Sequence, residues 1–382
     1  MNKHVLSSLL LGSALVVAVA GCGTTSQTSG GTGSSGNSAG KGTSSSSASG
    51  ALPVQIPMST LVANAKKEGV VHGFGMPANW ANLGGMWSSF SKKYGIQTVY
   101  QAEGNMTSAE ELQAFQKEKN HSIGDVGDIG IQFGPTAQQM GVVAPFKNQY
   151  WNQIPSQLKD PNGTWAAAYY GVMSFEVNTN KVKNVPKTWS DLLKPEYKGM
   201  IGFGDPRQAA ENFDAVIAAA YAFGGSSQNI QPGIQFFQKL RKSGNWTGTP
   251  DGTSVLQTGQ AAIEIRWNYL AEADQQAFKG HPNIQIVVPS DSTVAGPYVE
   301  VVNKYAPHPY AARLLNDYLF SDAGQISYAE GGAYPVRLKY LKLPSSVHLP
   351  PLNMNSVHFL VGNFTNAVNQ MNSLWGKDVL GQ

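Results

Sequence analysis

The chain runs to 382 residues, 41% hydrophobic and 13% charged, with a formal net charge of +3. That length supplies one large or two medium cores, and a charge so small and so evenly spread excludes a strong nucleic-acid-binding field. A single cysteine excludes an intrachain disulfide and a thiolate metal cluster.

Residues 1–21 read as a secretory leader: Lys3, an apolar stretch over 5–20, and small residues up to Gly21 immediately before Cys22. Residues 23–50 are nearly all Ser, Gly and Thr with one charge at Lys41, a composition that cannot bury enough apolar surface to offset chain entropy. As a flexible coil such a tether reaches about 30 Å r.m.s.. No later apolar stretch approaches the roughly 20 residues that a bilayer span needs.

A short helix at 61–68 leads through Gly69 into an apolar strand at 70–75. The loop carrying Asn79 and Trp80 precedes an amphipathic helix at about 86–94, and a second strand follows at 96–100. The next loop holds Asn105 and Met106 and ends in Ser108-x-x-Glu111, read as a capping box on a helix at 109–120. A third strand at 126–131 runs into Gln132-Phe133-Gly134 before a helix opened by Pro135. Alternating strands and helices imply α/β architecture with a mainly parallel sheet, whose ligands lie outside the carboxyl ends of the strands. The three loops are therefore expected to face one cleft.

Residues 165–178, rich in β-branched and aromatic side chains, suit a strand pair stopped by Asn178 and Asn180. Thr188 opens a short helix that Pro195 and Gly199 break, a strand follows at 200–203, and Asp205-Pro206-Arg207 closes the segment. Helices are expected at 208–223, 234–242, 310–320 and 322–329, with a helical turn at 253–257. Strands are expected at 261–266, 284–288 and 298–302, and a helix pair over 357–375.

Ordered short motifs carry a resemblance over roughly 60–340: Ala65-Lys-Lys-Glu-Gly-Val-Val, Lys159-Asp-Pro-Asn-Gly-Thr-Trp165, Pro186-Lys-Thr-Trp-Ser-Asp-Leu-Leu, Tyr197-Lys-Gly, Gly204-Asp-Pro-Arg207, Gly259-Gln-Ala-Ala-Ile, Ala306-Pro-His-Pro and Tyr334-Pro-Val-Arg337. Together they resemble family 1 extracellular solute-binding proteins of ABC importers, the iron, polyamine, thiamine and phosphonate branch. The resemblance implies a two-lobed type II periplasmic-binding-protein fold with two mainly parallel sheets joined by hinge strands near 170–177 and 290–298. Lobe one would comprise 51–172 plus 293–337, and lobe two 173–292 plus 338–382. It also implies a monomer without a cofactor that hands a small-molecule solute to a membrane permease driven by a separate ATPase. Val19-Ala20-Gly21-Cys22 looks like a lipobox, so Cys22 would be lipidated and, with residues 22–50, would hold the body at the outer face of the cell membrane.

By the same resemblance, Trp267 and Tyr298-Val-Glu300 match the aromatic and acidic positions with which polyamine-binding members hold ammonium groups. An alkylammonium favours an aromatic face plus a carboxylate in a desolvated slot; the alternative is that Trp267 and Tyr298 are core aromatics. Tyr269 stands where ferric-binding members have adjacent tyrosines, but its neighbours are Asn268 and Leu270. Tyr169 and Tyr170 are adjacent in a strand, where they point to opposite faces. An anion is the alternative ligand, with Arg207, Arg266 and a helix start at Thr253-Ser254 as its cradle; Arg207 otherwise reads as a surface ion-pair partner. A secreted hydrolase is the reading of a different class. Against it, the sequence has no His-x-x-x-His pair and no Gly-x-Ser-x-Gly after a convincing strand. Asp125 and Asp128 form the one acid pair of interest, and such strand-end carboxylates more commonly cap backbone amides.

Overall fold

The computed structural model describes residues 52–100, 106–353 and 355–382. Cys22, the leader and the tether lie outside the described residues, as does Asn105. The first alternating units are α1 (Met58–Glu68), β1 (Val70–Phe74), α2 (Leu83–Tyr94), β2 (Gln97–Tyr100), α3 (Ser108–Lys117), β3 (Val126–Gly130) and α4 (Gly134–Met140). Gly69 ends α1 at φ 75°, its N–H on the Ala65 carbonyl, a left-handed cap that an L side chain strains to adopt.

The cap of α3 is one residue earlier than the sequence suggests. Thr107 accepts from the Glu110 N–H, and Glu110 returns a bond to the Thr107 N–H. Ser108 and Glu111 are free for another task and turn inward. The Gly130 N–H donates to Ser108 Oγ at 3.1 Å and the Asp128 N–H to Glu111 Oε2 at 3.0 Å, which ties α3 to the end of β3.

After β4 (Val143–Ala144), residues 166–178 form one 13-residue strand, β5 (Ala166–Asn178), and not a pair. The chain continues through β6 (Ile201–Gly202), α5 (Ala210–Ala222), α6 (Gln231–Lys242), α7 (Thr253–Thr258), β7 (Ile263–Trp267), α8 (Asn268–Phe278), β8 (Ile284–Val287) and β9 (Thr293–Asn303). It closes with α9 (Pro309–Phe320), α10 (Asp322–Glu330), β10 (Tyr334–Pro335), β11 (Val357–Phe359) and α11 (Thr365–Leu374). The expected C-terminal helix pair is thus a strand followed by one helix, because Gly362 and Asn363 interrupt the apolar run. Beyond α11, Trp375 packs on Phe237 and Trp246 at ring-centroid distances of 5.6 and 6.1 Å.

The main sheet runs β2-β1-β3-β9-β5-β7-β6. Pairing is parallel where β1 meets β2 and β3, where β6 meets β7 and where β11 meets β9. The two long strands pair antiparallel with β3, with each other and with β7 and β8. The sheet is therefore mixed, since strands that return from one half of the body to the other reverse direction. The crossing is visible in β5: residues up to Val172 pair with β9, and from Met173 onward the partner is β7. The β5–β9 register slips by one residue between Ala167 and Tyr169. Such a bulge re-aims the side chains that follow it.

Candidate functional site

The carboxyl ends of β1 and β3, the starts of α3 and α5, and the loop before α7 enclose a cavity of about 240 Å³. One wall comes from Trp80, Met106, Thr107, Ser108, Glu111 and Asp128, the other from Asp205, residues 208–212, Asp251, Gly252 and Arg266, with Tyr298 between them. Gly75 also lines it, at φ 62°, and a Cβ there would lie 2.1 Å from a Glu111 oxygen. Glycine at this turn makes room for the inward carboxylate.

Trp80 donates its indole N–H to the Tyr169 hydroxyl at 2.7 Å, and that hydroxyl donates to Asp128 Oδ2 at 2.6 Å. Trp80 also packs edge-on to Tyr298, centroids 5.5 Å apart, and lies 5.7 Å from Tyr269. Behind this layer Trp267 Nε1 donates to the Tyr298 hydroxyl at 3.2 Å and the Trp267 N–H to Glu211 Oε1 at 2.8 Å. The indole is fixed as a backing for the wall.

Among the described residues, five carboxylate residues, Glu111, Asp128, Asp205, Glu211 and Asp251, line the cavity against one cation, Arg266. Arg266 is already committed. Its Nη1 lies 2.6 Å from Asp274, 3.2 Å from Glu176 and 3.6 Å from Glu264. Burial opposes the guanidinium charge, but Glu211, Glu176, Glu264 and Asp274 outweigh it and raise its pKa. Burial also lifts Glu111 and Asp128 well above the usual carboxylate range, with Glu300 adding to both, while Glu211 is pushed to about 8, Arg266 offsetting only part of its burial. Asp205 differs: burial opposes its charge, yet its hydrogen bonds from Arg207 hold its pKa below the ordinary value.

Of the residues singled out from sequence, Trp80, Met106, Asp205 and Tyr298 line the cavity together. Gln132 lies just behind, its amide 3.4 Å from the Ala210 carbonyl, and Phe133 packs on the core. Asn79 is exposed and lines a different depression with Asn82 and Gln276. The expected Trp267–Glu300 cage is not formed. Trp267 and Tyr269 are fully buried behind the wall. Glu300, 2% exposed, points into the interior, where Tyr328 donates to its Oε1 at 2.7 Å. Alternation along β9 puts Tyr298 and Glu300 on one face, and only Tyr298 lies far enough along the strand to meet the cavity. Arg207 turns away onto Asp205, with Nη2 2.6 Å from Oδ2, so neither arginine proposed for an anion is free. Asp125 is a backbone cap, accepting from the His72 and His308 N–H groups. Glu111, Glu211 and Asp251 were not singled out as site residues: Glu111 reads as half of a capping box, and Glu211 and Asp251 fall in no recognised motif. The detectable signal was Asp128, flanked by Gly127 and Gly130 in a wholly buried strand.

A model of bacterial extracellular solute-binding proteins matches residues 125–356. A putative 2-aminoethylphosphonate-binding periplasmic protein of Salmonella typhimurium is 26% identical over 263 residues, 66% of this chain and 73% of the relative. The fold is that of the periplasmic binding protein AfuA of Actinobacillus pleuropneumoniae, solved with fructose-6-phosphate, with TM-score 0.64, 19% identity and coverage of 81% and 98% of the two chains. It also matches the spermidine/putrescine substrate-binding protein PotD of Streptococcus pneumoniae, with TM-score 0.58, 16% identity and coverage of 81% and 98%. These are type II periplasmic-binding-protein folds, α/β bodies with a curled mixed sheet. Among the described residues no helix is long and apolar enough to cross a membrane. The chain belongs to the bacterial extracellular solute-binding proteins, the extracytoplasmic solute-capturing components of ABC transport.

Proposed function

We propose that this protein captures a small solute bearing a protonated amine and delivers it to a membrane permease powered by a separate ATPase. The observation that carries this reading is the cavity wall: five carboxylate residues face one arginine that other carboxylates already neutralise. An ammonium there gains charge-assisted hydrogen bonds and the faces of Trp80 and Tyr298. Residues 51–172 with 293–337 act as one lobe and 173–292 with 338–382 as the other, hinged where β5 changes partner after Val172. Contacts from both walls exist together only when the lobes are closed, so the solute shifts the open and closed populations. Cys22, lipidated, anchors the body through the residue 23–50 tether, and the protein acts as a monomer without catalysing a reaction.

A second reading adds an anionic end to the solute. The start of α5, at Ala209 and Ala210, lines the cavity with no side-chain cap, leaving first-turn amides for an anion, and the Salmonella relative is named for an aminophosphonate. A thermal-shift screen with putrescine, spermidine, 2-aminoethylphosphonate, methylphosphonate and ferric citrate separates the readings. A ligand at 100 times its Kd stabilises by about 2.7 kcal/mol. Stabilisation by amines supports the first reading, by the aminophosphonate alone the second, and by methylphosphonate or ferric citrate alone would overturn both.

A further inference from the structure

Asp128 on β3 and Glu300 on β9 are direct partners in the antiparallel register, so their side chains leave the same face of the sheet side by side. Each is 2% exposed. One oxygen of each accepts a tyrosine hydroxyl: Asp128 Oδ2 from Tyr169 at 2.6 Å and Glu300 Oε1 from Tyr328 at 2.7 Å. The other oxygen of each, Asp128 Oδ1 and Glu300 Oε2, is buried without a hydrogen-bond partner. Among the described residues no Lys, Arg or His forms a salt bridge with either. The other titratable groups that face the pair are Glu111 from α3, Tyr169 from β5, Tyr269 from α8, Tyr298 from β9 and Tyr328 from α10. None supplies positive charge. Only Asp128 of the pair reaches the cavity.

Two like charges on adjacent buried carboxylates without a cation are costly, whereas one proton on the pair removes the repulsion and gives one of the orphaned oxygens an O–H to donate. We infer that Asp128 and Glu300 hold one proton between them in the empty protein, and that an ammonium entering beside Asp128 expels it, so that solute capture is coupled to proton release. The charge balances: the pair goes from one negative charge to two as the ammonium brings one positive charge, and the proton leaves to solvent. Trp80, bonded to Tyr169 and lining the cavity, joins the solute to this pair through two hydrogen bonds. Burial holds Glu300 at about 8, which sets the window in which the coupling operates. The inference rests on the amine reading, and its test separates the two.

In ligand-free protein labelled with carbon-13 at Asp and Glu carboxyls, with resonances assigned through Asp128→Asn and Glu300→Gln, the pair should titrate in two separated steps with one proton retained at neutral pH. Titration of both in the ordinary carboxylate range would overturn the shared proton. Calorimetric titration with putrescine in two buffers of different ionisation heat should show about one proton released, with affinity rising about tenfold per pH unit up to about pH 8. Glu300→Gln should cut the release and flatten the pH dependence, because Asp128 loses its like-charged partner and ionises more readily, although burial still raises it. Tyr328→Phe, which removes the donor to Glu300 and keeps the ring, should move the release to higher pH. Undiminished proton release in Glu300→Gln would overturn the inference. A failure of putrescine to bind counts against the amine reading, and the carboxyl titration then decides the shared proton by itself.

Discussion

Tyr169 lies flat against Tyr298, ring centroids 5.6 Å apart and planes 12° from parallel, because the β5 bulge sets it opposite Tyr298 where unbroken register would set Ala168. The displaced tyrosine is what brings a hydroxyl between Trp80 and Asp128.

Tyr169→Phe should therefore keep the stack and lose two hydrogen bonds, leaving the Trp80 indole N–H without its acceptor and Asp128 without a donor. The expected cost is about 1–3 kcal/mol of stability, read by urea unfolding, with amine affinity reduced because ionised Asp128 has lost its support. A variant with wild-type affinity for the best screening hit would separate Asp128 from the solute.

Trp80 and Trp267 should separate binding from folding. Trp80 is half-buried and lines the cavity, while Trp267 is fully enclosed. Trp267→Ala opens a cavity in the core and should cost about 3–5 kcal/mol of stability. Trp80→Ala should chiefly weaken binding. Thermal denaturation with calorimetry on both variants tests this, and the opposite pattern would return Trp267 to the site.

The contrast shows what the sequence carries. Strand alternation and the glycine and proline breaks locate most elements to within a few residues, and the three loops after β1, β2 and β3 follow from the strand–helix alternation. Sequence does not show how deep a residue lies along a strand, so Tyr298 and Glu300, two positions apart on one face, looked equivalent. Nor does it reveal that Thr107 caps α3 and thereby frees Glu111 for the cavity, because both Thr107-x-x-Glu110 and Ser108-x-x-Glu111 satisfy the same pattern. Bulges are equally silent: adjacent alanines at 166–168 give no sign that Tyr169 will slip by one.

Stability of the empty protein should fall as pH rises. Glu211 and Glu300 have folded pKa values of about 8 against an ordinary 4.5, so between those limits the folded state binds protons that the unfolded state has lost. The slope of unfolding free energy with pH is then negative. Below about 4.5 the protonated groups exert no such penalty; across the window the loss is on the order of 5 kcal/mol per group. Denaturation midpoints at pH 5 and pH 8 measure it, and a bound amine should flatten the decline. A midpoint that rises over this range contradicts the assignment of these carboxyls as protonated.

Arg207 decides the sign of the solute. It lies 29% exposed beside Asp205, with Nε 3.0 Å from Oδ1 and Nη2 2.6 Å from Oδ2, and Asp205 is the half that faces the cavity. A pair so open to solvent contributes under about 1 kcal/mol to folding, so Arg207→Ala should fold as the wild type does. Its effect on binding depends on ligand charge. For an ammonium, removing the guanidinium frees the Asp205 carboxylate and removes a repelling charge, so affinity should hold or rise by several-fold. For a phosphonate or carboxylate the same change removes a cation held beside the cavity by Asp205, and affinity should fall. Titrating putrescine and 2-aminoethylphosphonate into the variant gives opposite signs under the two readings, and a tenfold loss for both would place Arg207 itself in contact with the solute.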